Sequence, residues 1–576
     1  MLRKVLSVLF VMSVAMPPAM ASAASGADGW PAPEAAPAPK PAVKAAAQKP
    51  VAAAAPVKAA VAPKVAPAAA PATAVIVPAP PATGDLVKVL QDQSALLAQL
   101  AGKLDEQRLV IETQQSAIKA LEARTAVGAT ASAVSVAAAP AVAAPPPAAG
   151  ATAAAATSFP LSIRLGEADF LIGGFMDATS VSRSANLGSG LGTAFGSVPL
   201  SNTAQGKLDE TRFSTQNSRV TLQVTSKVGG ANLKGYLEAD FLGFQPTNGF
   251  VTSNSNSLRM RLYWAQVTKG RFEFLAGQSW SFITPNRNGL SAAPGDLFYT
   301  QDVDTNYQVG LPWGRTTGFR VIAHATDSLS AGVAVENPQQ YVGGAVVLPA
   351  AFAAAEVDNN GNTATPNGYP DVIAKIAFDP KTGRRHQHFE FASLVRGFKT
   401  YDATSGGSFS ATGTGQSATA VIEPFRNVRL IGTGFTSHGG GRYLMGLGPD
   451  FIINADSSMS LVDAKAGIAG IELQAGKNTQ FYSYDSFAQF GQAVTIDKGG
   501  KVIGYGVAGS TTANRALHEL TFGVTETFFR DPRYGAMQLM LQGSYLKRSL
   551  FAGVPAGTPS DAALKMFYVN VRYVLP

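Results

Sequence analysis

The chain has 576 residues, more than one ordinary domain needs, and no cysteine, which excludes disulfide frameworks, thiol catalysis and cysteine metal sites. Its net charge of +8 is small for this length and forms no concentrated basic patch, so we expect no nucleic-acid partner. The 58 glycines and 36 prolines are unevenly spread, which separates turn-rich regions from linkers.

The first 23 residues have the three parts of a secretory signal. Arg3 and Lys4 form a basic start, an apolar run covers 5–16, and Ala-Ser-Ala at 21–23 offers small residues for cleavage. The apolar run is too short to span a bilayer. We therefore expect residues 1–23 to act as a signal peptide that is removed on export.

Composition then marks two linkers with a helical segment between them. Residues 24–83, which also carry lysines, and residues 126–158 are dominated by Ala and Pro, a composition typical of disordered, extended spacers. Residues 84–125 have an aliphatic residue at every d position of five heptads: Leu90, Leu97, Leu104, Ile111 and Ile118. This pattern predicts a coiled coil that oligomerises. It leaves trimers and tetramers both open, and a lone amphipathic helix is the alternative interpretation.

From residue 159 to residue 576 the helical period is replaced by alternating segments of about ten residues with turn residues between them. In the last segment, Phe567, Val569 and Val571 fall on one face, while Asn570 and Arg572 fall on the other. The same alternation predicts an apolar face in an earlier segment, formed by Leu258, Met260, Leu262 and Trp264.

The connections indicate what the apolar faces contact. Short turns alternate with long connections, which we expect at 184–209, 282–316, 338–370 and 549–563. Such an asymmetry is typical of a membrane β-barrel, whose closed sheet pairs every backbone group within lipid. We therefore predict an all-β transmembrane barrel of about 16 antiparallel strands over 159–576. Interfacial girdles are expected from aromatic residues near the strand ends, namely Trp264, Trp280, Phe528, Tyr545 and Tyr573.

Four stretches carry a resemblance to a known family: LAGQSWSFI (275–283), QDVDTNYQVGLPWGR (301–315), LSAGVAVENP (329–338) and GFTSHGGGRYLMGLGPD (434–450). With them, the order of signal, coiled coil and barrel resembles the DcaP-like trimeric porins of the outer membrane. The resemblance implies a 16-stranded channel that trimerises, a coiled coil in the periplasm, and uptake of small, often carboxylate-bearing solutes.

Charged residues on the polar faces are candidates for lining a pore: Arg259, Arg261, Glu273, Arg320, Lys375, Glu390, Arg396 and Arg429. Excess arginine on such a wall would favour anions. The alternative is that these arginines pair with carboxylates and only stiffen the wall. The connection 282–316 follows the fifth strand, where porins commonly fold a loop inward, and offers constriction candidates: Arg287, Asp302, Asp304, Tyr307 and Trp313. An outer surface loop is the competing interpretation.

The sequence therefore predicts a homotrimeric outer-membrane porin with its N-terminal segment in the periplasm, passing small polar, anionic solutes by diffusion. The alternative function is a tether in which the coiled coil and the lysine-bearing spacer hold the outer membrane to peptidoglycan. Expected partners are other copies of the chain, membrane lipids, small solutes and peptidoglycan. We found no catalytic motif and expect no enzyme activity, cofactor or metal site.

Overall fold

The computed structural model describes residues 162–243, 256–292, 297–303, 307–350, 352, 356–358, 367–380, 383 and 385–576. The predicted signal peptide, both linkers, the coiled coil and the candidate Asp304 lie outside the described residues, so they stay predictions.

The described chain is built from β-strands. The first eleven are β1 (Ser162–Leu165), β2 (Ala168–Arg183), β3 (Glu210–Ser214), β4 (Arg219–Val228), β5 (Ala231–Asp240), β6 (Arg259–Lys269), β7 (Phe272–Trp280), β8 (Arg315–His324), β9 (Leu329–Glu336), β10 (Asp371–Phe378) and β11 (Gln387–Asp402). The other eleven are β12 (Gly407–Phe425), β13 (Val428–His438), β14 (Phe451–Ile453), β15 (Met459–Leu461), β16 (Asp463–Ala475), β17 (Thr479–Phe490), β18 (Ala493–Ile496), β19 (Val502–Tyr505), β20 (Asn514–Asp531), β21 (Gly535–Leu550) and β22 (Asp561–Val574).

Short 3-10 helices lie in the connections of the described residues, for example at Phe195–Ser197, Gln205–Lys207 and Gly441–Tyr443. No helix in the described part of the chain is long and apolar enough to cross a bilayer.

One sheet closes on itself to form the barrel wall. Consecutive wall strands pair antiparallel, and β22 pairs with β2 from Val574↔Phe175 to Met566↔Arg183. Strands β3 and β4 lie end to end along β2 and together act as one wall strand. The hairpins β14–β15 and β18–β19 are not part of the wall; each forms a separate two-stranded sheet within a connection. The closed wall therefore has sixteen antiparallel strands, which confirms the predicted fold class and strand number for this part of the chain.

The two faces of the wall differ in polarity. On β22, Phe567 and Val571 are about half exposed on the outside, whereas Tyr568, Asn570 and Arg572 are buried on the inside. Other strands repeat this arrangement, with exposed apolar side chains outside: Phe274, Phe319, Val321, Val333, Ile376 and Phe391. The predicted assignment of faces is therefore confirmed on β22, and the outside of the wall presents the apolar surface that lipid requires.

The predicted faces are wrong on part of β6. The pairing of β5 with β6 shifts at Glu238, so Arg261 is an extra residue in a β-bulge. A bulge places two residues opposite one, which reverses the alternation beyond it. Leu262 and Trp264 therefore point inward and are buried, while Tyr263 points outward and is 45% exposed. The predicted girdle role of Trp264 is wrong for the same reason, and Trp280 packs beside it.

The two ends of the barrel also differ. Tight turns join strands at one end, for example β4 to β5 and β6 to β7, and long connections join most strands at the other. The four predicted long connections are at this long-loop end. Two more, 439–462 and 491–513, carry the hairpins β14–β15 and β18–β19 and were not predicted. These loops pack into the mouth of the barrel in one buried cluster, which includes Phe195, Ile283, Tyr443, Phe451 and Tyr505.

Candidate functional site

The connection 281–314 between β7 and β8, the fifth and sixth wall strands, crosses the interior of the barrel. The backbone N–H of Asn286 donates to Glu390 on β11 (3.2 Å), and that of Val309 donates to Glu519 on β20 (2.8 Å). The Lys375 Nζ on β10 donates to the Thr284 carbonyl oxygen (2.7 Å). Because these partners belong to strands far around the wall, the loop must lie inside. Polar wall side chains satisfy its backbone, as a buried loop requires.

The candidate Arg287 attaches the middle of this loop to the wall. Its guanidinium contacts both oxygens of Glu472 on β16, at 2.6 and 2.9 Å, and lies 4.7 Å from the centre of the Tyr299 ring. Burial alone would lower the pKa of Arg287, but the Glu472 carboxylate raises it above its ordinary value. Arg287 is therefore a permanently charged anchor whose charge is balanced locally.

The candidate Asp302 lies where the loop meets β20 and β21. Gln542 and Ser544 each donate a hydrogen bond to its Oδ1 at 2.9 Å, and the carboxyl of Glu519 lies beside it. Burial raises the pKa of Asp302 to about 7, although these donors lower it. The candidates Tyr307 and Trp313 pack edge to face with their ring centres 5.0 Å apart. The loop thus holds its candidates inside the barrel, while their role in a constriction stays a prediction.

The candidates on the wall all point inward, and most of them form ion pairs with other inward side chains. The pairs are Arg259–Asp240 (2.6 Å), Arg261–Glu238 (2.5 Å), Lys375–Glu390 (3.0 Å), Arg396–Asp371 (3.0 Å) and Arg429–Glu423 (2.8 Å). Glu273 instead forms a hydrogen bond with His324 (2.7 Å). Arg320 instead donates to the Trp280 carbonyl oxygen and lies 4.5 Å from the centre of the Phe282 ring. Much of the wall charge is therefore neutralised within a few ångströms.

Arg396 is the centre of the largest such network. Its guanidinium contacts Asp371 on β10 (3.0 Å) and Asp450 in the connection 439–462 (2.8 Å), and it is fully buried. The Tyr443 hydroxyl donates to the same Asp371 carboxylate at 2.9 Å. Burial raises the pKa of Asp450, although Arg396 lowers it. The network holds the connection 439–462 inside the mouth of the barrel.

Two basic cavities lie at the ends of the barrel. The cavity at the long-loop end measures about 860 Å³ and is lined by Arg259, Arg315 and Arg442, with no Asp or Glu among the described residues that line it. The cavity at the short-turn end measures about 950 Å³. Its charged lining residues are Arg385, Arg426, Arg429, Arg530, Glu423 and Glu472. Arginine therefore outnumbers carboxylate among the residues that line each cavity, although Arg259, Arg429 and Arg442 each lie within 4 Å of a carboxylate.

Sequence reasoning found only Arg259 and Arg429 among these mouth arginines. Arg315, Arg426 and Arg530 lie at strand ends or in turns, where a period-2 pattern assigns no face. Arg442 lies in a long loop whose path inward is set by Asp371, 3.6 Å away. The signal that could have found Arg385, Arg426 and Arg530 is their repeated position beside short turns.

Comparison with known proteins supports the fold. No protein-family model matches the sequence, and no curated protein matches it. The outer membrane channel DcaP of Acinetobacter baumannii matches in structure with a TM-score of 0.51 and 15% identity, over 71% of this chain and 97% of that chain. The chain therefore has the barrel fold of DcaP, which confirms the predicted resemblance at the level of fold.

Two other structures match with lower TM-scores. The anion-selective porin from Comamonas acidovorans has a TM-score of 0.41 and 11% identity, over 71% of this chain and 100% of that chain. OprB from Pseudomonas putida has a TM-score of 0.39 and 10% identity, over 70% of this chain and 94% of that chain.

Proposed function

We propose that this chain is an outer-membrane porin through which small polar, anionic solutes diffuse. The observation that carries the proposal is the pair of arginine-lined cavities at the two ends of a closed barrel. The apolar outside suits lipid, and closure leaves no unpaired edge within it. A barrel of this strand number is wide enough to hold an aqueous channel.

Anion preference would come from the mouths and not from the whole wall. Wall cations such as Arg261, Lys375 and Arg396 are paired with carboxylates, so they contribute little net field along the interior. Some mouth arginines, such as Arg259 and Arg429, are also paired, but the cavities at the mouths are lined by more arginines than carboxylates. This excess would raise the local concentration of anions before they enter. Because solvent reaches the mouths, salt should screen this preference, and it should weaken at high ionic strength.

Direct contact at the long-loop mouth would favour carboxylate-bearing solutes. Arginine presents paired N–H donors that match the two oxygens of a carboxylate. Arg315 and Arg442 line the cavity beside Trp313 and Tyr307, which offer apolar surface for the rest of a small organic anion. We therefore propose that small carboxylates pass more readily than neutral or cationic solutes of the same size.

The orientation and assembly of the protein are further parts of this proposal. Ser162 pairs with Leu171, close to the short-turn end, so the chain enters the wall there. We place that end and the preceding N-terminal segment in the periplasm, with the long loops outside the cell. A homotrimer is proposed, with the coiled coil at 84–125 holding the subunits together. The tether to peptidoglycan stays the alternative function, because its residues lie outside the described part of the chain.

A liposome-swelling assay tests the proposal. Proteoliposomes holding the full chain are diluted into isosmotic succinate, a neutral sugar or a cationic amine of similar size, and the initial swelling rate is recorded at low and high salt. The proposal predicts the fastest swelling in succinate at low salt and a smaller difference at high salt. Equal rates would contradict anion preference, and no swelling would contradict the porin function.

Matched variants locate the preference. Arg315→Gln and Arg442→Gln remove positive charge at the long-loop mouth and should slow succinate entry more than sugar entry. Lys547→Gln removes one positive charge from the outward face of β21, where Lys547 lies 3.5 Å from Asp561, and should leave both rates unchanged. Equal effects of the three variants would show that the mouth arginines do not select.

A further inference from the structure

One sector of the outer wall does not have the apolar surface found elsewhere. It spans the neighbouring strands β12, β13, β16, β17 and β20. Alternation along these strands places Ser417 and Ser437 inside, where they are buried, so the residues beside them point outward. Cross-strand pairing then aligns four polar side chains in one outward row: Gln416, Thr436, Lys465 and Gln489.

The next two outward rows consist mainly of small residues. One row aligns Ala418, Gly434, Gly467, Phe487 and His518, and the other aligns Ala420, Gly432, Ala469, Asp485 and Leu520. We call these two rows and the row of Gln416, Thr436, Lys465 and Gln489 together the polar sector. Its small side chains leave the backbone of β12, β13 and β16 close to the surface, in contrast to the large apolar residues on β7 to β11.

A pair of ionisable side chains, one of them a carboxylate, lies within this sector at the middle of the wall. His518 Nε2 is 2.7 Å from Asp485 Oδ1, and both side chains are about half exposed. Asp485 has six residues of β17 on one side and five on the other, so it lies near the middle of the strand. A charged group at that depth is strongly unfavourable against hydrocarbon. A second outward pair, His438 with Asp463 at 2.8 Å, lies nearer the long-loop end.

The surrounding strands show that this is a local feature. On β7, β8 and β9, the outward residues at comparable positions are Phe274, Phe319, Val321 and Val333, which are about half exposed. On β21, beyond the other edge of the sector, Leu539 and Leu541 point outward. Lipid is therefore the expected neighbour of most of the wall and an unfavourable neighbour of the polar sector.

We propose that the polar sector is the surface through which copies of this chain associate in the membrane. The inference rests on the proposed function only in placing the barrel in a bilayer. The sector carries a carboxylate at Asp485 and an ammonium at Lys465, and the outward pair of His438 with Asp463 lies next to it, so a second copy can complement it. Its small residues let another wall approach closely. Five strands at about 4.8 Å spacing make it roughly 24 Å wide.

The position of the polar sector on the wall also predicts how the subunits would be arranged in a ring. In a closed ring, each subunit uses two different edges of its contact surface, one toward each neighbour. The edge formed by β12 and β13 of one subunit would face the edge formed by β17 and β20 of the next. The small residues Gly432 and Gly434 would thus lie opposite the side that carries Asp485 and His518.

Spin labelling tests whether lipid reaches the sector. Because the chain has no cysteine, Ala469→Cys and Val333→Cys each give a single labelling site. Both residues point outward, Ala469 within the polar sector and Val333 (49% exposed) on β9. In vesicles, oxygen dissolved in the acyl chains should relax the label at 333 several-fold more than the label at 469. Equal oxygen accessibility at both sites would overturn the proposal.

A second pair of variants tests association. Ala469→Trp should abolish the oligomer, measured as the mass of the detergent complex by light scattering, while Ala331→Trp, also outward and exposed, should leave it unchanged. The faster electrophoretic migration of unheated barrels shows that each variant is folded. If the folded Ala469→Trp protein keeps the oligomer mass, or the unaltered protein is a monomer, the proposal is wrong.

The experiments distinguish failure of the proposed porin function from failure of the proposed interface. A protein that permits no swelling but protects the label at 469 would lose its transport role and keep this interface. A protein that conducts solutes but exposes the label at 469 to oxygen would keep the transport role and lose the interface.

Discussion

Arg396→Ala should release the connection 439–462 from the mouth of the barrel. The Arg396 side chain contacts Asp371 on the wall and Asp450 in the loop, and it donates to the Gly439 carbonyl oxygen at 3.0 Å. Without the guanidinium, two buried carboxylates lose their nearest cation, and Arg442 lies farther away, 3.6 Å from Asp371. The Asp450 carboxylate in the loop then faces the Asp371 carboxylate on the wall. Their repulsion favours departure of the loop.

The expected loss of stability follows from burial. Removing one partner of a buried ion pair costs about 3–5 kcal/mol, because an uncompensated charge stays behind. Arg396 is fully buried and serves two carboxylates, so the upper part of this range applies. Since burial already raises the pKa of Asp450, protonation should relieve part of the loss, which will shrink as the pH falls.

The assay is denaturant unfolding in detergent, followed by the mobility shift between folded and unfolded barrels. Arg533→Ala is the control, because Arg533 is 76% exposed and its contact with Asp531 is 3.6 Å; it should change the midpoint little. Adding Asp450→Asn to Arg396→Ala should recover part of the loss. An Arg396→Ala midpoint equal to that of the control would show that the buried network does not hold the loop.

Two further predictions concern the loop 281–314. Because burial raises the pKa of Asp302 to about 7, above its value in the unfolded chain, its contribution to stability falls as the pH rises toward 7. Asp302→Asn should therefore flatten the pH dependence of the unfolding midpoint, whereas Asp209→Asn, at an exposed carboxyl in the connection 184–209, should not; identical pH profiles would contradict this. Gly310 has a φ of 83°, and a Cβ there would collide with the Phe487 carbonyl oxygen. Gly310→Ala should cost about 1–3 kcal/mol more than Gly289→Ala, which shares the positive φ but has open space; equal midpoints would show that the loop does not press on the wall.

The sequence alone predicts which face of a strand points outward when apolar and polar residues alternate without interruption. The alternation of Phe567, Val569 and Val571 with Asn570 and Arg572 predicted the faces of β22 correctly. The position of the long connection after the fifth strand also matched the structure. Both features depend only on local composition, which a single sequence contains.

The missed features depend on contacts between distant residues. The bulge at Arg261 follows from its bonds to Glu238 and Asp240, over twenty residues away, and no alternation pattern shows where it begins. Arg287 and Glu472 are 185 residues apart, so no local pattern indicates that the wall balances the charge of the loop. The mouth arginines were missed because turns have no period from which a face could be assigned.

Single-channel recording in planar bilayers will show whether this barrel is an open, anion-preferring channel. With a potassium chloride gradient across the bilayer, we expect stepwise openings and a reversal potential displaced toward the chloride equilibrium potential. A bilayer that stays electrically silent, or a reversal potential displaced toward that of potassium, would contradict it.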